Sequence, residues 1–183
     1  MLDHNLTLPK TLQSSTILDA LISVRKDRLL YANQHEHDYF VVTSAEESVV
    51  VVATAPDGQL LVTKEYRHPI KRVVLGLPGG MMNKGESAVV AARRELLEET
   101  GCSAQEYFLL GSVYPLPGLL AQKMHIVHAK GAQKIHPTDL EASETLESAF
   151  MSTHEIQEKL KNGLDVDGVF CSAIYFYSLY EAN

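Results

Sequence analysis

The stretch that decides the fold spans residues 77–102 and reads LPGGMMNKGESAVVAARRELLEETGC. It begins at the end of a predicted strand. Pro78, Gly79 and Gly80 follow, and they interrupt regular structure, which predicts a glycine-rich turn. Because glycine carries no side chain, backbone carbonyls in such a turn are free to point at a ligand. The stretch therefore predicts a strand, a flexible turn and then a helix.

The second half of the stretch predicts one α-helix, from Ala88 to Thr100. Ser87 precedes it as the N-cap, since a serine hydroxyl accepts a hydrogen bond from the first free backbone N–H groups. Gly101 follows the last helical residue, at the position where helices often end in a left-handed conformation. The apolar residues near the start of the helix are small, which predicts tight packing there.

Three acidic residues lie on or near one face of this helix, because Glu95, Glu98 and Glu99 are three or four residues apart. Like charges at this spacing repel, whereas a divalent cation bound to their oxygens would turn the repulsion into attraction. Arg94 precedes Glu98 by four residues and is expected to form an ion pair with it. The alternative is a solvated acidic face, but Glu86 and the glycine-rich turn at fixed distances favour a metal site.

The spacing of these residues resembles the Nudix box. The matching residues are Gly80, Glu86, Arg94, Glu95, Leu96, Glu98, Glu99 and Gly101. The last position of the box is usually aliphatic, and Cys102 occupies it here as a small apolar residue. The resemblance implies an α+β fold, the Nudix α/β/α sandwich with a mixed β-sheet and an N-terminal β extension.

The resemblance also implies the roles of the box residues. Glu95, Glu98 and Glu99, with the carbonyl of Gly79, would bind Mg²⁺ or Mn²⁺, and Glu98 and Glu99 would take part in catalysis. Glu86 is expected to brace the junction of loop and helix, and the alternative is that it binds metal. Arg94 is expected to be a structural ion-pair partner, and Gly80 to be a structural residue of the box.

The general base is expected in the acidic loop at residues 139–144, from which relatives often supply a glutamate. Glu144 matches the family pattern best, and Glu141 and Glu147 are the alternatives. If a box glutamate serves as the base, the loop would only gate access to the site. A solvated acidic loop is the interpretation without a catalytic role.

Outside the box the chain resembles the ADP-ribose pyrophosphatase branch of the family. The similar segments are Glu65-Tyr66-Arg67, Pro117-Gly118, Asn162-Gly163 and Asp167-Gly168. Arg67 is expected to contact phosphate or substrate, since guanidinium binds paired oxygens; the alternative is a surface arginine on a strand. The branch usually has a glutamate where Gly76 stands and often an acid where Gln122 stands. It also uses its N-terminal extension for dimer contacts, which implies a homodimer.

Composition predicts a single domain, and the resemblance implies that it is a Nudix domain at residues 39–183 after an extension at residues 1–38. The chain has 183 residues, 45% of them hydrophobic, which suffices for a sizeable core. A formal charge of −7 argues against a nucleic-acid partner. Two distant cysteines, Cys102 and Cys171, are typical of a reducing cytoplasm. The longest apolar run is too short to span a membrane, and no secretory signal is evident.

Periodicity predicts the remaining elements. Strands are expected at residues 39–43, 48–55, 59–66, 73–77, 106–114, 124–129 and 147–151, and helices at 153–161 and 168–180. The four residues from His35 to Asp38 are expected to form a polar turn rather than a metal site. Strands and helices in this irregular order indicate an α+β fold rather than a doubly wound sheet.

These observations predict a Mg²⁺-dependent hydrolase. Its expected substrate is a nucleoside diphosphate joined to another moiety, such as ADP-ribose or a nucleotide sugar. The alternatives are a non-catalytic nucleotide-sensing Nudix module and a nucleoside triphosphate pyrophosphohydrolase. The complete set of box glutamates favours an enzyme, because sensing modules tend to lose one or more of them.

Overall fold

The computed structural model of the chain describes residues 7–20, 22–140 and 145–182. Internal contacts divide these residues into two compact units. The first contains the described part of residues 7–45 together with Leu116–Gln122. The second contains Glu46–Pro115 and the described residues from Lys123 onward. The domain boundary expected after residue 38 stays a prediction.

The first unit contains a three-stranded antiparallel sheet, the N-terminal β extension. Its strands, in sheet order, are β1 (Lys10–Asp19), β2 (Ile22–Leu30) and β3 (Glu36–Ser44). All ten residues of β1 are exposed. The polar turn predicted for residues 35–38 is wrong in large part, because the turn lies at residues 32–34 and only His35 precedes β3. Glu36 and Asp38 belong to β3, where both form ion pairs with Arg28 on β2.

The second unit contains the larger, mixed sheet and the helices. Its strands are β4 (Ser48–Thr54), β5 (Leu60–Arg67), β6 (Arg72–Gly76), β7 (Gly79–Met81), β8 (Cys102–Ser103), β9 (Glu106–Val113), β10 (Met124–Lys130), β11 (Gln133–Lys134) and β12 (Leu146–Met151). Its helices are α1 (Ala88–Thr100), α2 (Thr153–Lys161) and α3 (Gly168–Glu181). The main order is β12-β5-β4-β10-β9, with β6 beside β5 and β7 beside β4, while β8 and β11 form a separate pair. Strands β4 and β10 are parallel and the other pairs are antiparallel.

The sheet is covered by helices on both faces, because β4 is apolar on both sides. Val49, Val51 and Ala53 pack with the buried alanines and Leu96 of α1. Val50 and Val52 point the other way and pack with buried residues of α2 and α3. This alternation is the period of a strand that is buried on both faces. The predicted α/β/α sandwich is thereby confirmed. No helix in the described part of the chain has the length and apolar character needed to cross a membrane.

The predicted helices form as their end signals indicate. α1 has the predicted bounds, and its N-cap Ser87 accepts a hydrogen bond from the Val90 N–H at 3.4 Å. Gly101 ends it in the left-handed region with φ 68°. α2 also has its predicted bounds, and α3 begins after Asp167, whose side chain accepts a bond from the Val169 N–H. Local capping therefore determines where these helices start and stop.

Most of the predicted glycine-rich turn is a strand, and of its three residues only Pro78 lies at a bend. Gly79–Met81 form β7, which pairs with the first half of β4. β10 pairs with β4 along the whole length of one edge. β5 and β7 therefore share the opposite edge of β4. β5 uses this edge only at Ala53 and Thr54, which leaves the rest to β7. The turn prediction is wrong because the divergence of β5 from β4 is a long-range feature that local sequence does not reveal.

A buried histidine lies between the sheet and α3. His128 on β10 is 1% exposed. Its ring centroid lies 4.9 Å from that of Tyr177 and 5.4 Å from that of Tyr180. Its Nε2 atom lies 2.9 Å from the Thr54 hydroxyl. Burial disfavours the charged imidazolium and lowers the pKa of His128 below its ordinary value.

We expect acid to destabilise the protein through His128. Its folded-state pKa is lowered, so the unfolded chain binds more protons in the pH window just below about 6.5. Stability should fall there by up to about 1.4 kcal/mol per pH unit as the pH drops. Glu181 and Glu106 oppose the shift and Lys130 adds to it. Urea denaturation at several pH values measures the effect, and His128→Gln should show a smaller loss. An equal loss in both proteins would assign the acid sensitivity to other groups.

Candidate active site

The backbone of β7 lies tightly against β4 and presents an amide to α1. A Cβ atom on Gly79 would lie 2.2 Å from the carbonyl oxygen of Val49, so only glycine fits at this position. The Gly79 N–H donates a hydrogen bond of 2.9 Å to Oε2 of Glu99. The close approach of the two strands therefore positions a donor that orients one carboxylate of the acidic helix.

Gly80 leaves the space that a second carboxylate fills. A Cβ atom on Gly80 would lie 2.5 Å from Oε1 and 2.8 Å from Oε2 of Glu95. Glu95 is 8% exposed and Glu99 is 6% exposed. The alternative of a solvated acidic face does not hold for these two residues, because both are buried at the junction of α1 and β7. Glu98 differs, since its side chain is 44% exposed.

Arg94 connects the acidic residues. Its Nη1 atom lies 2.8 Å from Oε1 of Glu95 and 3.1 Å from Oε2 of Glu98. Its Nε and Nη2 atoms bind both carboxylate oxygens of Glu86, at 3.2 and 3.0 Å. Nη2 also donates to the carbonyl of Met81 at 2.9 Å. The carboxylates of Glu86, Glu95 and Glu98 raise the pKa of Arg94, with the hydrogen bonds to Glu86 as the largest cause.

Glu86 fastens the loop before α1. Its Oε2 atom accepts a hydrogen bond of 2.8 Å from the Asn83 N–H, in addition to the ion pair with Arg94. Its side chain is 9% exposed. Hydrogen bonding from Arg94 holds the pKa of Glu86 below its usual range. The geometry places Glu86 as a brace between loop and helix.

A cleft lies beside β7. Its wall includes Arg67, Gly79, Gly80 and Asp167. Arg67 forms ion pairs with Glu65 on the same strand and, at 3.5 Å, with Asp167 before α3. The cleft and the acidic cluster therefore share the two glycines of β7.

A profile of the NUDIX domain matches residues 44–169. The chain belongs to the Nudix family. It is 30% identical over 144 residues to the ADP compounds hydrolase NudE of Escherichia coli, covering 75% of this chain and 76% of that protein. It is 26% identical over 136 residues to the ADP-ribose pyrophosphatase of Bacillus subtilis, covering 74% of each.

A third relative and a solved structure are also similar to this chain. The methanol dehydrogenase activator of Bacillus methanolicus is 28% identical over 136 residues, 74% of each chain. The crystal structure of an ADP compounds hydrolase superposes with a TM-score of 0.82 at 25% identity, covering 97% of this chain and 96% of that one. The family and the enzyme class predicted from the sequence, a Nudix pyrophosphohydrolase, are confirmed.

The acidic cluster of this Nudix chain fits a divalent cation in its chemistry. Glu86, Glu95, Glu98 and Glu99 bring four formal negative charges around the single charge of Arg94, and carboxylate oxygen is the ligand type of Mg²⁺. Among the residues that the structure describes, no three acidic, histidine or cysteine side chains converge at metal-binding distances. Glu95 and Glu98 each direct an oxygen at Arg94 instead. The metal roles of these glutamates and of the Gly79 carbonyl stay predictions.

We expect Arg94→Met to make the Nudix chain more dependent on Mg²⁺ for stability. The change leaves Glu86 and Glu95 buried without their guanidinium, which costs about 3–5 kcal/mol when one partner of a buried pair is removed. A divalent cation should offset part of this cost. Thermal unfolding with and without Mg²⁺ measures the effect, and Mg²⁺ should raise the Tm of the variant more than that of the wild type.

Arg93→Met is the matched control for this experiment. Arg93 is the neighbouring residue of α1, and its guanidinium lies 4.0 Å from the ring centroid of Tyr107 instead of among carboxylates. Its loss should lower Tm without changing the response to Mg²⁺. An equal Mg²⁺ response in both variants would contradict the idea that Arg94 and the metal share ligands.

The predicted general base lies outside the described residues. Glu144 and its alternative Glu141 belong to residues 141–144, which the structure does not describe. The other alternative, Glu147, is on β12 and pairs in register with Lys64 of β5. Before the gap, the Asp139 N–H donates to the carbonyl of Glu98 at 2.8 Å. The assignment of a base among these glutamates stays a prediction.

Sequence reasoning misses two features of the cleft. In the sequence, Asp167 stands out only within the segment Asp167-Gly168 that resembles the branch, yet its side chain binds Arg67, a hundred residues away in the chain. Ser48 lines the cleft, whereas the sequence predicts it only as the start of a strand. A signal for Ser48 is present, because it is a polar residue at the start of the otherwise apolar run 48–53. Gly76, where the branch usually has a glutamate, lies in the wall of the same cleft.

Proposed function

We propose that this Nudix hydrolase cleaves the diphosphate linkage of ADP-ribose or a similar nucleoside diphosphate sugar, with Mg²⁺ or Mn²⁺ as cofactor. The observation that carries the proposal is the burial of Glu95 and Glu99 against β7, beside the more exposed Glu98. The names of two relatives, an ADP compounds hydrolase and an ADP-ribose pyrophosphatase, support the substrate class.

The reaction divides one diphosphate into two phosphate monoesters. Water adds to one phosphorus, the bond from that phosphorus to the bridging oxygen breaks, and one proton is released. A bound Mg²⁺ would lower the pKa of water and neutralise the phosphoryl oxygens. The protein contributes the arrangement of charged side chains around the diphosphate. Substrate is therefore expected to lie with its diphosphate at the acidic cluster.

Individual residues hold this arrangement. Glu95 and Glu99 would supply ligand oxygens, and the Gly79 N–H fixes the orientation of Glu99. Arg94 holds Glu98 at the rim of the cluster, where its exposed carboxylate is available to a ligand or to water. Glu98 and Glu144 are the candidates for accepting the proton of the attacking water. Pre-positioned groups of this kind lower the barrier because they need little reorganisation during the reaction.

Arg67 is proposed to contact the substrate in the cleft. Its guanidinium is 45% exposed and is held by Glu65 and Asp167, so its position is defined before substrate binds. Such preorganisation reduces the entropy lost on binding. The alternative, a surface arginine without a ligand, agrees less well with its place in the wall of the cleft.

The oligomeric state and the cellular location of the protein are also proposals. The β extension exposes large apolar side chains, among them Leu12, Ile17 and Leu18 on β1, and a second copy of the chain would cover them. Cys102 and Cys171 are free thiols, which supports a reducing cytoplasm. A homodimer of a cytoplasmic enzyme is therefore proposed.

A substrate panel tests the function directly. The purified chain is assayed with ADP-ribose, nucleotide sugars, dinucleotides and nucleoside triphosphates, each with Mg²⁺ and with Mn²⁺. We expect ADP-ribose to give AMP and ribose 5-phosphate, and chelation of the metal to stop the reaction. Faster hydrolysis of triphosphates would contradict the proposed substrate class, and absence of turnover with every compound would favour the nucleotide-sensing alternative.

A further inference from the structure

One buried hydroxyl in the wall of the cleft lacks a hydrogen-bond partner. Ser48 is 4% exposed, and its Oγ atom has no partner within the described residues. Its backbone N–H is satisfied by the carbonyl of Lys123 at 3.1 Å. An unsatisfied buried hydroxyl costs about 1–3 kcal/mol, so such groups are rare and need an explanation.

The position of Ser48 connects this hydroxyl with the cleft. Side chains alternate along β4, so Ser48 shares a face with Val50 and not with Val49, which packs with α1. Val50 and Phe170 line the cleft together with Ser48. The Ser48 side chain therefore lies on the same face of the sheet as Val50 and Phe170, at the end of β4 that pairs with β7.

The charge of the cleft indicates which part of a substrate enters it. Arg67 is the cation of the wall and is balanced by ion pairs with Glu65 and Asp167. Much of the remaining wall is apolar, with Val50, Met124 and Phe170 among its members. Because the charge of Arg67 is neutralised by its partners and much of the wall is apolar, the cleft suits a neutral ring better than a diphosphate. With a divalent cation bound, the acidic cluster would be the matching place for the diphosphate.

We propose that Ser48 is a specificity-determining residue whose hydroxyl hydrogen-bonds to a hydroxyl group on the neutral sugar or nucleoside part of the substrate. The proposal rests on the proposed function for the identity of that substrate. A site built to bind a substrate hydroxyl discriminates against compounds that lack it, because its own polar group is then left buried and unpaired. The unsatisfied Oγ atom in the free protein is the signature of such a site.

The test compares Ser48→Ala with the wild type by three measurements. These are KM and kcat for ADP-ribose with Mg²⁺, Kd for ADP-ribose by calorimetry in metal-free buffer, and Tm. We expect KM and Kd to rise about 5- to 10-fold, which corresponds to the loss of one hydrogen bond. We expect kcat to change less than about 2-fold, and Tm to stay equal or increase because no internal hydrogen bond is lost.

Thr54→Val is the matched control. Thr54 lies on the same strand and the same face, and its hydroxyl is also buried, but it is bonded to His128 at 2.9 Å. The control should show the opposite result, a lower Tm with unchanged KM and Kd. A purely structural role of Ser48 would instead make the two variants behave alike.

The outcomes separate this proposal from the proposed function. If the wild type hydrolyses ADP-ribose and Ser48→Ala leaves KM and Kd unchanged, the hydroxyl does not bind substrate and the proposal is overturned while the function stands. If the wild type binds ADP-ribose without hydrolysing it, the proposed function fails and Kd still decides the role of Ser48. If the wild type binds neither ADP-ribose nor any nucleotide sugar of the panel, both are overturned.

Discussion

Glu99→Gln is expected to lower kcat of the Mg²⁺-dependent reaction about a thousandfold while the protein stays folded. The side chain of Glu99 is buried on α1 and accepts a hydrogen bond from the Gly79 N–H. Glutamine has the same shape and keeps a carbonyl oxygen for that bond, so packing and Tm should change little. The variant loses a negative charge that would bind a divalent cation, and this loss would weaken both metal binding and stabilisation of the transition state.

The measurement is steady-state turnover of ADP-ribose with Mg²⁺ and with Mn²⁺, with Tm recorded for each protein. Glu158→Gln is the control, because Glu158 lies on α2, is half exposed and forms its ion pair with Lys161, on the same helix. The control should retain wild-type kcat. Equal kcat in wild type and Glu99→Gln would refute the assignment of the acidic helix as the catalytic centre.

Local features of the fold could be predicted because their signals lie within a few residues. The N-cap Ser87 and the C-cap Gly101 define α1 without help from the rest of the chain. The hairpin of β4 and β5 follows from two apolar runs around a turn that closes between Ala55 and Gly58. By contrast, β7 depends on the edge that β5 leaves open along β4, and no local pattern contains that information.

The candidate site also combines features that local sequence predicts with features that depend on the rest of the fold. The spacing of Glu95, Glu98 and Glu99 predicts that they share one side of a helix, and this prediction needs only the helical period. The burial of Glu95 and Glu99 and the exposure of Glu98 depend on where β7 lies, which local sequence does not indicate. Helical spacing predicts one glutamate partner for Arg94, which binds three. Glu86 reaches it from the loop before α1, and Glu95 is the next residue of the helix.

Gly80→Ala is expected to lower kcat about a hundredfold with only a small change in Tm. An added Cβ atom would lie 2.5 Å from Oε1 of Glu95, closer than atoms approach in proteins. The atoms it meets are the end of a flexible side chain, so the carboxylate moves and the backbone does not have to. The fold should survive, while an oxygen of Glu95, a predicted metal ligand, is displaced from its place beside β7. A displacement of about 1 Å suffices for a loss of this size.

Two further glycine variants make this prediction specific. Gly79→Ala meets the backbone oxygen of Val49 at 2.2 Å and should unfold the junction, which shows as a large loss of Tm. Gly118→Ala meets nothing within 4 Å and should leave kcat and Tm unchanged. Calorimetry should show weaker binding of Mn²⁺ to Gly80→Ala than to the wild type, even if the two proteins have the same Tm. The opposite result would be a Tm as low as that of Gly79→Ala, with normal Mn²⁺ binding by the folded variant. The contact between Gly80 and Glu95 would then be structural, and the metal site would have to be placed elsewhere on α1.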